Sequence, residues 1–179
     1  LPVLNEEQRL EAGIYEALGF LGENDLLDIC SLVIADNGST DRTPEVGRYL
    51  AEKYPDSVSY LRISAKGVGL AIRESWLQSN AAIVGYMDVD LATDLSHLLE
   101  VFRLFENEDA RVVNGSRLLP ESQVIGRTIK REVTSRGLNT LMKLALGVQF
   151  TDAMCGFKFF RREIAVKLLN DIPTIPDWF

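Results

Sequence analysis

Two carboxylates separated by a single residue are the part of this sequence best suited to chemistry. Asp88 and Asp90 directly follow residues 83–87, an apolar run that is typical of a buried strand. Residues two apart in a strand point to the same side, so both carboxylates can approach one cation. Mg²⁺ and Mn²⁺ prefer oxygen ligands, often one or two carboxylates together with substrate phosphates. The pattern therefore predicts a Mg²⁺ or Mn²⁺ site beside a diphosphate, and a solvated acidic turn is the alternative.

A second polar cluster follows another apolar run, residues 29–35. Residues 36–41 have the sequence Asp-Asn-Gly-Ser-Thr-Asp, which is typical of a turn. A carboxylate at a strand end, here Asp36, can accept hydrogen bonds from a nucleobase or from ribose hydroxyls. A simple turn that leads into a helix is the alternative interpretation of this segment.

Other reactive side chains give weaker patterns. The loop 66–69, Lys-Gly-Val-Gly, lacks the full P-loop sequence, although Lys66 has the length and charge to reach a phosphate. The sole histidine, His97, lies one turn into a predicted helix and has no matched nucleophile, so a catalytic triad is not predicted. Cys30 and Cys155 lack metal-ligand spacing and suit a reducing compartment.

Alternating strand and helix patterns must position these residues. The strand patterns cover residues 29–35, 58–63, 81–87, 111–115 and 157–160. The helix patterns cover residues 6–21, 43–54, 70–79, 96–106, 132–146 and 163–169. We expect Thr43 to cap its helix and Asp94 to begin or cap the helix that follows it. The alternation predicts an α/β domain with a mostly parallel central sheet flanked by helices. Since ligands bind at the carboxyl ends of such strands, the two acidic clusters should share one site.

The length and composition fit one globular domain that covers residues 1–179. No apolar stretch approaches the roughly 20 residues needed to span a bilayer, and the start lacks the pattern of a signal peptide. The chain begins where a first strand should already have ended, and it stops without a clear closing element. We therefore expect both ends to be truncated, with a membrane-associated tail possible outside the sequence.

The charge is unevenly distributed along the chain. Residues 1–110 carry 20 acidic and 8 basic side chains, whereas residues 111–167 carry 4 acidic and 11 basic ones. This asymmetry argues against a uniform nucleic-acid-binding surface. It indicates a metal site in one part and an anion-facing patch in another, and solvated helix faces are the alternative.

Together these motifs resemble family 2 glycosyltransferases with the GT-A fold. Residues 2–7, Pro-Val-Leu-Asn-Glu-Glu, are similar to the family's opening Pro-x-x-Asn-Glu segment, which lines the nucleotide pocket. The resemblance thus assigns Pro2, Asn5 and Glu7 to substrate binding. Residues 36–41 resemble the family's Asp-Asp-Gly-Ser-Thr-Asp loop, which implies contacts from Asp36 and Asn37 to the base or ribose. Asn37 replaces the second Asp of that loop.

The resemblance extends through the middle of the chain. Lys66-Gly67 with Ala71 is similar to the family's Gly-Lys-Gly-x-Ala segment, and this implies that Lys66 contacts the donor. Asp88-Val89-Asp90 matches the family's metal motif.

The second half resembles one subgroup, the polyprenyl-phosphate glycosyltransferases, which include dolichyl-phosphate glucose and mannose synthases. The matching segments are Asn114-Gly115-Ser116-Arg117, Arg131, residues 135–139 and residues 151–158. The Cys-Gly-Phe-Lys stretch at 155–158 is closer to the glucose branch. The Gln-x-x-Arg-Trp motif of processive members is absent from the sequence.

The subgroup implies a use for the basic segment. Arg117, Arg131 and Arg136 can give forked, charge-assisted hydrogen bonds to the phosphate of a lipid acceptor. Residues 127–146 pair basic with apolar residues as an interfacial helix would, and an ordinary helix packed on the sheet is the alternative. Asp152 is expected to orient the acceptor or Lys158, or else to have a structural role.

The activity implied by the resemblance is inverting, metal-dependent transfer of a hexose to a polyprenyl or dolichyl phosphate. The donor would be UDP-glucose or GDP-mannose, and the catalytic residues would be Asp88, Asp90, Arg117 and Arg131. An acceptor phosphate is already largely anionic at pH 7, so a dedicated general base is not required. The enzyme would work in the cytoplasm, at the cytoplasmic face of a membrane, without a nucleic-acid partner.

Three alternatives remain open from the sequence. A family 2 enzyme acting on a glycan hydroxyl would need a carboxylate base near its acceptor. A non-catalytic nucleotide-sugar-binding module would not need the two acids of the metal motif. A nucleotidyltransferase would need a Gly-rich start and Lys signature that are not evident. The sugar, the nucleotide, the lipid and the oligomeric state are not specified by the sequence.

Overall fold

The fold is seen in a computed structural model, which describes residues 1–119, 122, 137, 140, 151, 152 and 154–171. The predicted helix at 132–146 lies outside these residues, except for the helical positions 137 and 140. No helix in the described ranges is both long and apolar enough to cross a membrane.

The first half of the chain forms a three-stranded parallel sheet in the order β1-β2-β3. Its strands are β1 (Pro2–Val3), β2 (Leu32–Asp36) and β3 (Val58–Arg62). Helices α1 (Leu10–Glu23) and α2 (Thr43–Lys53) connect them. The expectation that the first strand ends before the chain begins is wrong, because β1 lies within the sequence and pairs with β2.

The second sheet is antiparallel and has the order β4-β6-β5. Its strands are β4 (Ile83–Met87), β5 (Val112–Asn114) and β6 (Phe157–Arg161). Helix α3 (Val68–Gln78) precedes β4, α4 (His97–Asn107) lies between β4 and β5, and α5 (Arg162–Asp171) follows β6.

The expectation of a mostly parallel sheet therefore holds only for part of the fold. β6 pairs antiparallel with both β4 and β5, so these two neighbours run in the same direction as each other. The apolar run at 157–160 indicates a strand, but its period of two contains no information about which strands it will join or in which direction.

The largest hydrophobic cluster joins α1 and α4 to strands of both sheets. The apolar residues of α1 recur at helical spacing and are fully or almost fully buried, namely Leu10, Ile14, Ala17 and Leu21. They pack with Ile34 of β2 and with Phe105 of α4. Burying this stripe holds α1 against the sheets, which places its first turns beside the strand ends.

A glycine brings α1 close to the segment after β4. A methyl group at Gly13 would lie 2.3 Å from the carbonyl oxygen of Val89, so only a residue without a side chain permits this approach. Val89 is 5% exposed, whereas Asp88 and Asp90 on either side of it are exposed. Contact with α1 thus turns Val89 inward and leaves Asp88 and Asp90 at the surface, with the Asp88 carboxylate partly covered by neighbouring protein.

Candidate functional site

The loops that follow β1 and β2 are joined by a set of hydrogen bonds. Asn5 donates its backbone N–H to Ser39 Oγ at 2.9 Å, and Thr40 donates its N–H to Asn5 Oδ1 at 2.9 Å. Glu7 Oε2 accepts the N–H of Arg42 at 2.9 Å. Asn5 and Glu7 therefore lie beside the loop 36–41, and Pro2 lies next to it in β1. Their contact with a donor stays a prediction.

Thr43 differs from its expected role. It is the first residue of α2 and gives no cap to that helix; instead, its Oγ1 accepts the N–H of Glu6 at 2.7 Å. The Thr43 hydroxyl therefore joins the start of α2 to the loop after β1, because the N–H of Glu6 lies within hydrogen-bond distance of it. Asp94 lies two residues before the N-cap of α4, Ser96, whose N–H it accepts through Oδ1 at 2.8 Å; it neither begins nor caps α4, which has no side-chain cap, so its expected role is not observed. His97 is the first residue of α4, one turn earlier in its helix than expected.

Asp36 is fully buried at the carboxyl end of β2. Its Oδ1 accepts the N–H of Ser39 at 2.8 Å, and its Oδ2 accepts the hydroxyl of Tyr60 at 2.5 Å. Arg62 Nη1 lies 3.5 Å from the same Oδ2. Burial, followed by the hydrogen bond to Asp36, raises the pKa of Tyr60 to about 12, so the hydroxyl stays protonated and keeps donating. These contacts hold the Asp36 carboxylate in place at the start of the loop 36–41.

Asn37 has a buried amide that is only partly satisfied. Its side chain is fully buried, and Oδ1 accepts the N–H of Gly67 at 2.5 Å. Within the described residues, Nδ2 has no hydrogen-bond partner. An unsatisfied buried donor costs about 1–3 kcal/mol, so a ligand with an acceptor oxygen would offset that cost. Lys66 is exposed at the same loop, and its Cγ lies 3.7 Å from the point where Gly38 would carry a methyl group.

Asp88 and Asp90 lie just beyond the end of β4, on either side of the buried Val89. Asp90 Oδ1 accepts the N–H of Ala92 at 3.2 Å, which holds the segment in a turn. The pKa of Asp88 is raised, first because surrounding protein partly dehydrates the carboxylate and second because Asp90 adds a negative charge. The charges of Arg117 and Lys158 act in the opposite direction. A divalent cation would relieve the repulsion between the two carboxylates.

These two acids fit a metal that is shared with a substrate. In the described ranges, no group of three or more His, Cys, Asp or Glu side chains could hold a metal ion. Two carboxylates without further protein ligands suit Mg²⁺ or Mn²⁺, which commonly complete their coordination with water and substrate phosphates. The two carboxylates therefore fit Mg²⁺ or Mn²⁺ chemically, and metal binding by Asp88 and Asp90 stays a prediction.

Arg117 and Asp152 form a forked ion pair near Asp88. Arg117 Nε lies 2.7 Å from Asp152 Oδ2, and Nη2 lies 3.1 Å from Oδ1. The backbone N–H groups of Arg117 and Met154 donate to the same carboxylate at 3.2 and 3.1 Å. Burial opposes the charge on Asp152, which is 1% exposed, yet the hydrogen bonds from Arg117 outweigh it and lower the pKa. Asp152 thus holds Arg117 in place through three hydrogen bonds, and the N–H of Met154 gives the carboxylate a fourth.

The start of β6 brings two further residues to Asp88: Gly156 just before the strand, which was not a candidate from the sequence, and Lys158 within it, which was named only as a residue that Asp152 orients. Met87 pairs with Phe157, so Gly156 lies opposite Asp88, and a methyl group on Gly156 would lie 2.0 Å from Asp88 Oδ2. Lys158 pairs with Tyr86 one step further along the ladder. The alternation of residues about Phe157 predicts that Gly156 and Lys158 share a face, but only the pairing with β4 places that face beside Asp88. Arg131 and Arg136 lie outside the described residues.

The close contact at Gly156 gives a first testable expectation. Gly156→Ala should force the Asp88 carboxylate to rotate, because its Oδ2 and Cγ would lie 2.0 and 2.6 Å from the new methyl group. We expect the affinity for Mn²⁺ with UDP present to fall about 10- to 100-fold, as for other residues that orient a metal ligand. Electron paramagnetic resonance during Mn²⁺ titration measures this.

Gly69→Ala is the matched control, since nothing lies within 4 Å of the methyl group it would add. It should leave Mn²⁺ binding unchanged. Equal Mn²⁺ affinity in Gly156→Ala and the parent protein would show that Asp88 does not need its observed orientation.

Comparison with known proteins identifies the family to which the sequence is similar. The model of the family described as "Glycosyl transferase family 2" matches residues 1–169. Glycosyltransferase AglD of Haloferax volcanii is 31% identical over 179 residues, which cover 100% of this chain and 28% of that protein. Dolichyl-phosphate beta-glucosyltransferase ALG5D of Trichomonas vaginalis is 32% identical over 186 residues, which cover 99% of this chain and 57% of that protein. The chain therefore spans only about a quarter to somewhat over half of these relatives.

A solved structure has a similar fold. The mannosyltransferase PcManGT from Pyrobaculum calidifontis, in complex with GDP-Man and Mn²⁺, superimposes with a TM-score of 0.60. It is 21% identical in sequence, and the match covers 93% of this chain and 44% of that one. This likeness confirms the glycosyltransferase fold expected from the sequence.

Proposed function

The chain belongs to glycosyl transferase family 2, and on that premise we propose that it transfers a hexose from a nucleotide-sugar to a polyprenyl or dolichyl phosphate. The names of similar proteins support this choice of acceptor, because one relative is a dolichyl-phosphate beta-glucosyltransferase. The donor is UDP-glucose or GDP-mannose. The relative's name favours glucose, and the structure solved with GDP-Man shows that a similar fold accommodates the other donor.

The observation that carries the proposal is the grouping of two acidic and two basic side chains at the end of the second sheet where β4 ends. Asp88 and Asp90 lie at the end of β4, and the charges of Arg117 and Lys158 act on Asp88. Asp88 and Asp90 would hold Mg²⁺ or Mn²⁺, whose positive charge stabilises a departing diphosphate. Arg117 would bind a phosphate oxygen through the guanidinium N–H groups that Asp152 does not use.

The nucleotide end of the donor would bind at the loops after β1 and β2. We place the base and ribose against Asp36 and Asn37, with Pro2, Asn5 and Glu7 forming and supporting the adjacent wall. The unpartnered Nδ2 of Asn37 supports this placement because it offers a buried donor to an acceptor oxygen. Lys66 would bind the donor's phosphates from the neighbouring loop.

Transfer would proceed by a single displacement with inversion. An oxygen of the acceptor phosphate attacks the anomeric carbon, and the bond from that carbon to the diphosphate breaks with its electron pair on the nucleoside diphosphate. No proton has to be removed, since the acceptor is already largely anionic at neutral pH. Arg117 would orient the attacking phosphate, together with Arg131 and Arg136, which are assigned by resemblance. The main contributions are positioning and charge stabilisation.

A lipid acceptor implies work at a membrane surface. We propose that the protein acts in the cytoplasm, at the cytoplasmic face of a membrane, where a polyprenyl phosphate is available. The basic residues between 111 and 167 support this location, because they suit an anionic surface and a phosphate headgroup.

Isothermal titration calorimetry tests the donor site directly. We expect the protein to bind either UDP-glucose or GDP-mannose when Mn²⁺ is present, and to lose that binding in Asp90→Ala. Asp56→Ala is the matched control, since it removes one exposed acid at the amino end of β3.

The other outcomes discriminate between functions. Failure of folded protein to bind either donor would contradict the proposed function. Binding that depends neither on Mn²⁺ nor on Asp90 would instead favour a non-catalytic nucleotide-sugar-binding module.

A further inference from the structure

Lys158 lies on the central strand of the second sheet, where it faces the proposed site. It is paired with Tyr86 of β4 on one side and with Asn114 of β5 on the other. Directly paired residues of antiparallel strands share a face, and so do residues two apart on one strand. Lys158 therefore lies on the same face as Asp88, which is two residues beyond Tyr86.

The ammonium group of Lys158 is half-buried and only partly satisfied. Its Nζ donates to the carbonyl oxygen of Cys155 and lies 5.6 Å from the centre of the Tyr86 ring. An ammonium group has three donors, and the described part of the protein gives Nζ this one hydrogen bond. Burial lowers the pKa of Lys158, so the fold loses some stability by holding a charge there.

The charges around Lys158 indicate which kind of group could accept its remaining hydrogen bonds. Asp88 and Asp152 attract Lys158, whereas Arg117 repels it. Asp152 makes its four hydrogen bonds to Arg117 and to the backbone N–H of Met154, and none of them is to Lys158. Two cations, Arg117 and Lys158, both act on Asp88, so a phosphate that binds beside Asp88 with a divalent cation would also meet their positive charge.

We propose that Lys158 binds a phosphate oxygen at the Asp88 site, through the hydrogens of Nζ that the Cys155 carbonyl does not accept. This inference rests on the proposed function. The oxygen belongs either to the diphosphate of the donor or to the phosphate of the lipid acceptor. In either case the ammonium stabilises negative charge on a phosphate while the sugar is transferred.

Lys158→Met tests this binding role against a structural one. Methionine keeps an unbranched apolar chain against Tyr86 but removes the charge. We expect its melting temperature to stay within about 3 °C of the parent protein, because the half-buried charge gives little net stability. We expect hexose transfer to fall about 100-fold, which is typical of the loss of one charge-stabilising donor.

UDP affinity and the KM for polyprenyl phosphate together decide whether Lys158 binds the donor diphosphate or the acceptor phosphate. A fall of about 10-fold in the affinity for UDP with Mn²⁺ would assign Lys158 to the donor diphosphate. Unchanged UDP affinity together with a KM for polyprenyl phosphate raised about 10-fold would assign it to the acceptor. Lys158→Arg, which restores the charge, should recover part of whichever quantity falls.

The same assays contain the outcomes that overturn the inference. The inference is overturned if Lys158→Met keeps both its UDP affinity and its kcat/KM within threefold of the parent values. It is also overturned if Lys158→Met has a much lower melting temperature that Lys158→Arg does not restore. Lys167→Met, on the exposed side of α5, is the matched control. If the parent protein transfers no hexose, the proposed function fails, while UDP binding still tests Lys158 alone.

Discussion

Replacing Asp88 by Asn is expected to lower kcat/KM for hexose transfer about 1,000-fold. The amide keeps the size of the carboxylate but loses the charge that would hold the divalent cation. The positive charges of Arg117 and Lys158 favour the ionised form of Asp88, and the amide would lose this attraction as well. Radiolabelled hexose transferred to polyprenyl phosphate in detergent micelles, measured against Mn²⁺ concentration, gives the value.

The same substitution should not destabilise the fold. Because the pKa of Asp88 is raised in the folded protein, the charged carboxylate opposes folding near neutral pH, and removing its charge should leave the melting temperature equal or higher. Asp56→Asn serves as the control for loss of one exposed acid. An Asp88→Asn protein that unfolds earlier and loses activity in proportion would show that Asp88 has a structural role instead.

Asp152→Asn is expected to reduce transfer about 100-fold by releasing Arg117. The new amide places N–H groups where the guanidinium and two backbone N–H groups now donate, so the forked pair cannot form. We expect a loss of about 1–3 kcal/mol in the free energy of unfolding at pH 7, a modest value because the Arg117 side chain is 39% exposed.

The pH dependence of that loss is fixed by the direction of the pKa shift. The pKa of Asp152 lies below its usual value in the folded protein. The ion pair therefore contributes its full stability above the pKa of an unfolded Asp, about 4, and loses it as the pH falls through the folded pKa. The difference in stability between the parent protein and Asp152→Asn should shrink below about pH 4. Urea denaturation at pH 7 and pH 3 measures it.

A double-mutant cycle distinguishes this positioning role from general base catalysis. If Asp152 acts through Arg117, then Arg117→Ala and Asp152→Asn should not be additive, and the double variant should be scarcely slower than either single one. A base that deprotonates a glycan hydroxyl would give additive losses without a loss of stability. Additive losses would therefore favour the glycan acceptor that the sequence left open.

The parts of the site that lie on single segments could be predicted from the sequence. The apolar run before Asp88 and the turn chemistry after Asp36 both indicate acids at strand ends, and the structure has each acid there. The alternation of α1, α2 and α3 with strands also follows from local hydrophobic periods. These features depend on neighbours in the chain, which a sequence displays directly.

The parts that join distant segments could not be predicted in the same way. Arg117 and Asp152 lie 35 residues apart, and nothing in either segment specifies the other as its partner. The position of β6 between β4 and β5 likewise depends on strand pairing, and this pairing alone puts Gly156 against Asp88. The hydroxyl of Thr43 was misassigned for a related reason, because its N–H partner belongs to another loop.

The insertion of β6 between β4 and β5 also determines when the site can exist during synthesis. The parallel sheet needs only residues up to Arg62, and its contacts can form early as the chain emerges from the ribosome. The acids of β4 acquire Gly156, Lys158 and the anchor of Arg117 only after about 70 further residues have been made. Closing that long loop is slow compared with local helix formation. A nascent chain thus carries Asp88 and Asp90 well before the residues that surround them, so the site that we propose is complete only late in synthesis.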